Sequence, residues 1–550
     1  MRRLVSGFLP AILIIALSLV MVPHAQSADP FHDGLIQLTK TPGFENGQWG
    51  LLVVDIATHQ VLFEHNADRM FAPASVTKLF STAAALEKLG PDYRFKTAVK
   101  RRGEIDNLSI LRGDLILVAS GDMAMGGRTA ANGSMLFEES DHTYGGDNAA
   151  LVKADPLHAF QELAKTILKS GVKQVAGDVL VDDRLFQLSP SSGSGPRHVS
   201  PITINDNLVD VLISAGARPG ETATFTLVPE TTAMAVDFQV ATVEKDKPIS
   251  IYINTVGPRS VMVRGTIPAG KKDLVRNFEV ADPASWARSL FIESLRKSGI
   301  KVAASHLAMQ EPASLPAKGD VAKLPNQAEY VSPALREYVK IILKVSHNLY
   351  ASTLPSLLAV ADGKTTANEG LRIQGKLLTG LGVKPESISF GGGAGGARAD
   401  LVTPRATVDL LLSMQKRPGY SAYFEAMPVL GRDGTLAKSV EPTSPARGHA
   451  HAKTGTYYLE NELTGNTILT SKALAGYMET IHDRKLAYCV FVNNVPIRLA
   501  EGAEKPAVNA TVAGKLLGKI SEWIYLNCPP ILKTDLGKPN SSTVGKPSGS

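Results

Sequence analysis

The sequence predicts an α/β (α+β) fold in which helices flank an antiparallel sheet, and β-rich domains are inserted between the two parts of that sheet domain. Three patterns predict it: a strand pair and a helix near the start, short strands through the middle, and helices followed by strands near the end. A chain of 550 residues also exceeds the roughly 250 to 300 residues at which a single hydrophobic core stops growing.

The first predicted elements are a hairpin and a helix. Residues 49–56 and 61–64 are rich in apolar residues on either side of a short turn, which predicts two paired strands with which the mature fold begins. Between Ser75 and Leu89 apolar residues recur at helical spacing, and Gly90 supplies a stop signal. The pattern predicts a buried helix with Ser75 at its N-terminus.

The middle of the chain, residues 93–319, predicts one or two β-rich domains. Short strand patterns lie at 114–118, 178–181 and 249–254, and helical patterns lie at 157–170 and 286–298. Residues 121–148 are rich in Gly, Met and Ser and predict an irregular excursion.

The last part of the chain returns to longer helices and strands. Helices are predicted at 333–344, 348–360, 371–380 and 509–526, and strands at 450–456, 473–478 and 486–492. We therefore divide the chain into a signal peptide at 1–28, a sheet domain at 29–95 and 326–535, one or two nested β-rich inserted domains at 96–325, and a disordered tail at 536–550.

The N-terminal segment predicts export. Met1-Arg2-Arg3 precedes an apolar run that ends near Val22, and small residues follow up to Ala28. The run is shorter than the roughly 20 residues that a membrane-spanning helix needs, so we favour a cleaved signal peptide over a retained anchor and expect a periplasmic protein. The net charge of +6 suits an anionic partner such as a cell-wall polymer and leaves peripheral membrane association open.

Composition excludes several function classes. Apolar residues make up 44% and charged residues 20% of the chain, which is ordinary for a globular protein. Because no dense Lys/Arg run with interleaved aromatic residues occurs, we expect no nucleic-acid partner. Cys489 and Cys528 are too few for a disulfide scaffold or a thiolate metal cluster, and the sequence leaves open whether they form one disulfide or stay two buried thiols.

Ser75 and Lys78 are the first candidates for chemistry. A catalytic serine needs a base within hydrogen-bond reach, and residues three apart share one face of a helix. Burial and nearby cations would lower the pKa of this lysine until it can accept a proton. The spacing alone is a weak signal, because Ser294 and Lys297 repeat it late in a predicted helix, where a solvated surface is the simpler interpretation.

Two later motifs strengthen the interpretation. Ser346-His347-Asn348 lies between two predicted helices and offers a hydroxyl that can relay a proton and an amide that can hold a peptide. Lys453 and Thr454 lie in a predicted strand, where a cation and a hydroxyl can fix a carboxylate, and Gly455 lets substrate backbone approach closely. The ordered set S-x-x-K, S-x-N and K-T-G is the constellation of β-lactamases and penicillin-binding proteins.

With these motifs the chain resembles the class C low-molecular-mass penicillin-binding proteins, the D-alanyl-D-alanine carboxypeptidase/endopeptidase family. The interval between the first and second motifs is more than twice that between the second and third, as in that family. The segments ASGD (119–122), INDN (204–207) and MPVLGRDGTL (427–436) are similar to further family segments. The resemblance covers most of the mature chain and implies a penicillin-binding transpeptidase-like sheet domain.

The resemblance also implies roles for the motif residues, in an enzyme for which no metal or other cofactor is expected. Ser75 would be acylated by D-alanyl-D-alanine, Lys78 would take its proton, and Ser346 would pass a proton to the leaving amine. The N–H groups of Ser75 and Thr456 would form the oxyanion hole. The implied substrate-binding residues are Asn348, Lys453, Thr454, Gly455 and Thr456.

The same resemblance implies partners. We expect peptidoglycan peptide stems as substrates and β-lactam antibiotics as covalent inhibitors. Two alternatives stay open: a non-catalytic wall- or partner-binding protein on the same fold, and a β-lactamase or esterase, although the sequence shows no general base for fast deacylation. The sequence does not separate carboxypeptidase action from endopeptidase action on cross-links.

Three departures from the family pattern bear on the site. Residues 392–398 (GGAGGAR) replace Asp-Gly-Ser-Gly-Leu-Ser-Arg, so we expect a more mobile loop that has lost its side-chain contacts. Residues 457–472 intervene before LAGY (474–477), where the family moves quickly to Leu-Ser-Gly-Tyr, and we expect an enlarged loop beside the site. His347 replaces the usual Asp and adds a group that can titrate near neutrality.

His449 and His451 pose a separate question about metals. On a strand they share a face with Lys453, so a metal-binding pair is conceivable. Because no acidic third ligand lies nearby in the sequence, we favour ordinary strand histidines over a metal site.

Overall fold

The structure is a computed structural model that describes residues 29–497 and 509–531. The signal peptide predicted at 1–28 and the tail predicted at 536–550 lie outside the described residues. Within the described ranges, no helix is both long enough and apolar enough to cross a bilayer.

Helices and strands occur along the whole of the described chain. The helices are α1 (Pro30–Thr39), α2 (Thr77–Leu89), α3 (His158–Lys169), α4 (Pro283–Lys297), α5 (Lys318–Lys323), α6 (Leu335–Lys344), α7 (Asn348–Ala361), α8 (Ala367–Gly380), α9 (Pro404–Met414), α10 (Tyr420–Glu425) and α11 (Ala510–Asn527). The strands are β1 (Gln48–Asp55), β2 (Val61–His65), β3 (Lys96–Ile105), β4 (Ile110–Val118), β5 (Gln174–Val175), β6 (Val179–Asp182), β7 (Ser189–Pro190), β8 (His198–Val199), β9 (Leu208–Ser214), β10 (Thr224–Val228), β11 (Ala235–Val243), β12 (Ser250–Gly257), β13 (Ser260–Pro268), β14 (Leu274–Glu279), β15 (Lys301–Val302), β16 (Asn326–Val331), β17 (Ile388–Ser389), β18 (Leu401–Val402), β19 (Ala450–Asn461), β20 (Asn466–Glu479) and β21 (Lys485–Ile497).

A five-stranded antiparallel sheet organises the two ends of the chain, with strand order β19-β20-β21-β1-β2. Side chains alternate across it: Leu51 and Val53 of β1 face one core, and Leu52 and Val54 face the other. The first core is closed by α1 and α11, and the second by α2 with the helices between 335 and 414. Helices therefore cover both faces of an antiparallel sheet, as the predicted fold class requires.

The fold begins with a helix that the sequence analysis missed. The expectation that the β1–β2 hairpin is the first element is wrong, because α1 precedes it. Asp29 caps this helix by accepting from the N–H of Phe31, and Pro30 occupies its first turn. Only Phe31 and Leu35 of α1 are buried, so its apolar periodicity is too short to stand out in the sequence.

The middle of the chain is rich in strands, as predicted. A six-stranded sheet has the order β15-β5-β4-β3-β16, with β6 beside β4, and α3 and α4 pack in its core. Two three-stranded sheets, β10-β9-β14 and β11-β13-β12, share a second, smaller core. The domain limits drawn from the sequence stay a prediction.

The segment 457–472 is predicted to form an enlarged loop, but in the structure most of it belongs to two paired strands. Strands β19 and β20 continue through it and pair with each other from Tyr457 and Ser471 to Asn461 and Asn466. The extra residues therefore lengthen a β-hairpin. The sequence analysis missed this because it took the residues after Thr456 as an interruption of the strand.

The two cysteines are both free thiols in the structure. Cys489 of β21 lies in the core beside α2, whereas Cys528 lies in the core beside α1 and α11. The central sheet separates the two sulfur atoms. Of the two alternatives left open by the sequence, the structure has two buried thiols.

A buried ion pair ties the ends of the central sheet together. Arg484 Nε donates to Asp55 Oδ2 at 2.6 Å, and the same guanidinium donates to Pro529 O at 2.9 Å and Gln60 Oε1 at 3.0 Å. Burial opposes ionisation of Asp55, but hydrogen bonds from Thr58 and Arg484 outweigh it and lower the pKa of the carboxyl. The pair joins the β1–β2 turn, the start of β21 and the end of α11.

Removing one partner of this pair should destabilise the protein strongly. In Arg484→Leu the carboxylate of Asp55 stays buried without its cation, and we expect a loss of about 3 to 5 kcal/mol in the free energy of unfolding, measured by urea denaturation. The matched control is Arg112→Leu, which breaks the exposed pair with Asp106 at 2.8 Å and should leave the free energy of unfolding close to that of the native protein. Equal losses in the two variants would contradict this assignment.

Candidate active site

Ser75 lies in a tight turn at the entrance of α2. A 3-10 turn over Ala74–Val76 leads directly into the helix, so the Ser75 and Lys78 side chains lie on one side of it. Gly455 of β19 packs against this turn: a Cβ there would lie 2.4 Å from Pro73 O. The third motif therefore needs glycine where its strand meets the turn that carries the serine.

The amine of Lys78 is enclosed by three oxygen atoms. Its side chain is 0% exposed, and Nζ lies 2.8 Å from Ser75 Oγ, 2.7 Å from Asn348 Oδ1 and 2.7 Å from Ala394 O. Burial, and next to it the charge of Lys453, hold the pKa of Lys78 well below its usual value. A neutral amine has two N–H donors for the amide and carbonyl oxygens, which leaves its lone pair for the hydroxyl proton of Ser75.

The second and third motifs meet across the cleft from this amine. Lys453 Nζ donates to Ser346 Oγ at 2.9 Å and to Thr454 O at 2.7 Å. Burial and the charge of Lys472 lower the pKa of Lys453 to about 7. Ser346 lies between α6 and α7 with a φ of 66°, a backbone conformation that non-glycine residues rarely adopt. The hydroxyl of Tyr144 donates to its carbonyl oxygen at 2.5 Å.

Asn348 is the first residue of α7, and its side chain is bonded at both ends. Oδ1 accepts from Lys78, and Nδ2 donates to Ser194 O at 3.0 Å and Ser194 Oγ at 3.1 Å. The amide thus links the first motif to the segment between β7 and β8. In this structure its hydrogen-bonding groups are directed at the protein.

These residues line an open cleft of about 450 Å³. Its opposite wall is the irregular segment 121–148 predicted from the sequence. No residue of that segment was singled out for the site, although irregular segments commonly carry binding residues. The lining residues from the two sides are Ser75, Ser346, Asn348, Thr454 and Thr456, and Glu139, Asp141, Tyr144, Asp147 and Asn148.

A buried network of charged side chains lies next to His347 of the second motif. Arg128 donates to Asp141 at 2.7 Å and to Asp206 at 2.8 Å. His142 bridges Asp206 and Asp210, with 2.9 Å from Nε2 and from Nδ1 to the respective carboxylates. Burial opposes protonation of His142, but these two carboxylates outweigh it and raise its pKa to about 10. The network joins the segment 121–148 to the segment INDN and β9.

His347 connects that network to the second motif. Its Nδ1 accepts from the N–H of Tyr350 at 3.3 Å, which caps α7, and its ring stacks on the ring of Tyr350 at 3.8 Å. Nε2 lies 3.5 Å from Asp206 Oδ1 and 4.0 Å from Asp141 Oδ1. Nε2 also lies 3.3 Å from Arg128 Nη2, so the ring contacts both the guanidinium and the carboxylates of the network.

The glycine-rich loop 391–397 has acquired new anchors. Asp400 accepts from the N–H groups of Gly391 and Ala397, the Ser81 hydroxyl donates to Gly393 O at 2.8 Å, and Ser192 Oγ accepts from Ala394 N at 3.1 Å. All of these bonds are made to the backbone of the loop and none to its own side chains. The contacts come from side chains outside the loop, which its own composition cannot reveal.

Gly395 is a position in this loop where the structure requires glycine. It has a φ of 95°, and a Cβ there would lie 1.9 Å from Ala74 O, in the turn that carries Ser75. A larger residue would push the loop away from α2.

Lys472 is a site neighbour that the sequence analysis missed. It lies opposite Thr456 in the β19–β20 ladder, and Nζ donates to Thr456 Oγ1 at 2.9 Å. Burial lowers the pKa of Lys472 to about 8. No local sequence pattern could indicate this contact, because the register between the two strands of the extended hairpin places Lys472 beside Thr456.

The remaining candidates from the sequence lie away from the cleft. Ser294 is buried in α4 and its hydroxyl donates to Leu290 O at 2.8 Å, while Lys297 is exposed. His451 stacks on Phe424 with ring centroids 4.1 Å apart, and His449 packs against Tyr525 at 4.8 Å. Both histidines thus contact aromatic rings.

Replacing His347 by the residue usual in the family should harm this protein. His347→Asp places a third carboxylate beside Asp141 and Asp206, whose one guanidinium partner is already shared, and we expect a loss of about 3 kcal/mol in the free energy of unfolding. His347→Asn is the neutral control and should cost about 1 kcal/mol. Urea denaturation measures both, and an Asp variant as stable as the Asn variant would refute the charge argument.

Comparison with known proteins identifies the family of the chain. Residues 34–514 match the D-Ala-D-Ala carboxypeptidase 3 (S13) family. A D-alanyl-D-alanine carboxypeptidase from an Actinomadura species is 28% identical over 458 residues, which span 78% of this chain and 76% of that protein. D-alanyl-D-alanine carboxypeptidase DacB from Haemophilus influenzae is 24% identical over 469 residues, spanning 82% of this chain and 86% of that protein.

A known crystal structure has a similar fold. The crystal structure of penicillin binding protein 4 (dacB) from Haemophilus influenzae covers 90% of this chain and 99% of its own, with a TM-score of 0.66 and 21% identity. This likeness confirms the predicted fold class. The family match confirms the resemblance seen in the sequence and the assignment of the chain as a serine peptidase. The chain belongs to the D-Ala-D-Ala carboxypeptidase 3 (S13) family.

Proposed function

We propose that this chain hydrolyses the D-alanyl-D-alanine ends of peptidoglycan peptide stems through an acyl-enzyme on Ser75. The observation that carries the proposal is the buried amine of Lys78, which lies 2.8 Å from Ser75 Oγ while Asn348 and Ala394 occupy its two N–H groups. That arrangement activates a serine that is otherwise a weak nucleophile.

In the acylation step, Lys78 accepts the hydroxyl proton as Ser75 Oγ attacks the carbonyl carbon of the D-alanyl-D-alanine bond. The N–H groups of Ser75 and Thr456 stabilise the oxyanion. Ser346 gives its hydroxyl proton to the leaving amine and takes one from Lys453, 2.9 Å away. The amide bond breaks, D-alanine leaves, and exchange with water in the cleft returns Lys78 to the neutral form and Lys453 to the charged form.

In the deacylation step, water attacks the ester carbonyl and gives a proton to Lys78. Collapse of the tetrahedral intermediate breaks the ester bond, and Lys78 returns the proton to Ser75 Oγ. The product is the shortened peptide acid. The same lysine is thus general base in the first half of each step and general acid in the second half of the last one.

Substrate recognition rests on the strand that borders the cleft. We assign Lys453 and Thr454 to the terminal carboxylate of the substrate, because a buried cation and a hydroxyl lie together there. β-Lactams carry a carboxylate beside a reactive amide, so we expect them to acylate the same serine. D-alanyl cross-links are the second substrate class, and we place the protein in the periplasm, where the predicted signal peptide would deliver it.

Labelling with a fluorescent penicillin tests the nucleophile. We expect stoichiometric labelling of the native protein and none of Ser75→Ala, because among the described residues no other hydroxyl is hydrogen-bonded to Lys78 Nζ. The matched control is Ser294→Ala, which removes the serine of the second S-x-x-K spacing and should label fully. Labelling that survives in Ser75→Ala would exclude Ser75 as the nucleophile.

Defined muropeptides then separate the activities by mass spectrometry. Release of D-alanine from monomers indicates a carboxypeptidase, and cleavage of cross-linked dimers an endopeptidase. A protein that is labelled by penicillin but cleaves neither would be a binding protein, and rapid turnover of the β-lactam would make it a β-lactamase.

The pH dependence of kcat/KM tests the role of Lys453. Because its pKa is lowered to about 7, this lysine is charged below that pH and neutral above it. For a peptide with a terminal carboxylate, kcat/KM should therefore fall as the pH rises through about 7. With an ester substrate that has no terminal carboxylate, Lys453 keeps only its supply of protons to Ser346, so KM for the ester should not change through pH 7, whereas KM for the peptide should rise. An equal rise in KM for both substrates would argue against carboxylate binding by Lys453.

A further inference from the structure

Asp400 lies next to the site but belongs to none of its motifs. It follows the glycine-rich loop by three residues and its side chain is 3% exposed. Oδ1 accepts from Gly391 N at 2.8 Å, and Oδ2 accepts from Ala397 N at 2.9 Å. One carboxylate thus holds both ends of the loop 391–397 and closes it into a ring.

The loop in turn contacts the base. Ala394 lies in the middle of the ring, and its carbonyl oxygen accepts from Lys78 Nζ at 2.7 Å. That bond is one of the two that orient the amine so that its lone pair faces Ser75. The loop's own side chains up to residue 397 are hydrogen atoms and methyl groups, so the position of this carbonyl oxygen depends on contacts from outside the loop. Ser81 and Ser192 hold the middle of the loop at Gly393 O and Ala394 N, and Asp400 holds its two ends together.

Asp400 also acts on Lys78 through charge. Burial and the charge of Lys453 lower the pKa of Lys78, and the carboxylate of Asp400 partly opposes them. The loop sequence GGAGGAR lacks the acid that the family pattern carries there. The carboxylate that acts on Lys78 comes from Asp400, which lies outside those residues.

We propose that Asp400 is a positioning residue for the general base: its carboxylate closes the loop 391–397 and thereby holds the Ala394 carbonyl against Lys78. The inference rests on the proposed function, since it assumes that Lys78 activates Ser75.

The ionised form of Asp400 is the one that fits. A carboxylate accepts both N–H bonds, whereas protonation converts one oxygen into a donor that faces an N–H. Burial raises the pKa of Asp400 to about 6, against the hydrogen bonds from Gly391 and Ala397 and the charge of Lys78. Lys78 of α2 is the charged group that acts on Asp400, and the charge of Lys453 on β19 acts on Lys78 in turn. Loop closure should therefore weaken as the pH falls through about 6.

The test compares Asp400→Asn with Asp409→Asn, using the rate constant for acylation by a fluorescent penicillin. The Asn side chain keeps the size but has one acceptor oxygen and no charge, so we expect acylation to slow by about 10- to 100-fold above pH 6. Asp409 is the matched control: a half-buried carboxylate on α9, with its pKa also raised by burial, that contacts neither the loop nor Lys78. Its variant should acylate at the native rate.

Two further readouts separate positioning from folding. Protonation of Lys78 at low pH slows both proteins, so the readout is the ratio of the native rate to the Asp400→Asn rate, which should fall as the pH drops through about 6. Labelling of Asp400→Asn should still reach one penicillin per protein. Equal rates in native protein and variant, an equal slowing in Asp409→Asn, or a reduced labelled fraction that reacts at the native rate would overturn the inference. Failure of the proposed function would instead appear as absent labelling of the native protein at Ser75.

Discussion

Burial of the Lys78 amine is the constraint on which the site depends. A fully buried lysine loses several kcal/mol of hydration if it stays charged, and within the described ranges no carboxylate pairs with it. Its three oxygen partners come from the turn before α2, from α7 and from the glycine-rich loop. Those segments are far apart in the chain, so the amine is satisfied only in the complete fold. The contacts that would let the lysine act as the proposed base are therefore also the contacts that let it be buried.

The inserted region takes part in the same arrangement. The segment 121–148 forms one wall of the cleft, and its Arg128 meets Asp206 beneath His347. Two of the short segments that resemble the family contact α6. Asp122 of the inserted region accepts from the hydroxyl of Tyr338 on α6 at 2.6 Å, and Asp433, within the sheet domain, pairs with Lys344 at 2.7 Å. Such contacts hold the junction of α6 and α7, where Ser346 lies.

Burial, together with repulsion among neighbouring lysines, lowers the pKa of three amines around the cleft. Lys78, Lys453 and Lys472 are all buried near the edge strand β19, and burial is the largest cause of the lowered pKa in each. The charge of Lys472 acts on Lys453, and that of Lys453 acts on Lys78. The charge of Lys472, which lies on the hairpin extension, thus affects the pKa of Lys78 through Lys453. An anionic substrate entering the cleft would meet these cations and relieve the repulsion.

The sequence by itself determined the order and local setting of the three motifs, the helix that starts after Ser75, the strand that carries Lys453 and the strand-rich middle of the chain. Periodicity, glycine stops and motif spacing are local, so they can be read without a structure. Tertiary structure alone decided that Asp400 anchors the glycine-rich loop, that Lys472 lies beside Thr456 and that the segment 121–148 walls the cleft. Each of these depends on which backbone or side chain lies opposite across an interface, and no local pattern in a chain records its distant neighbour.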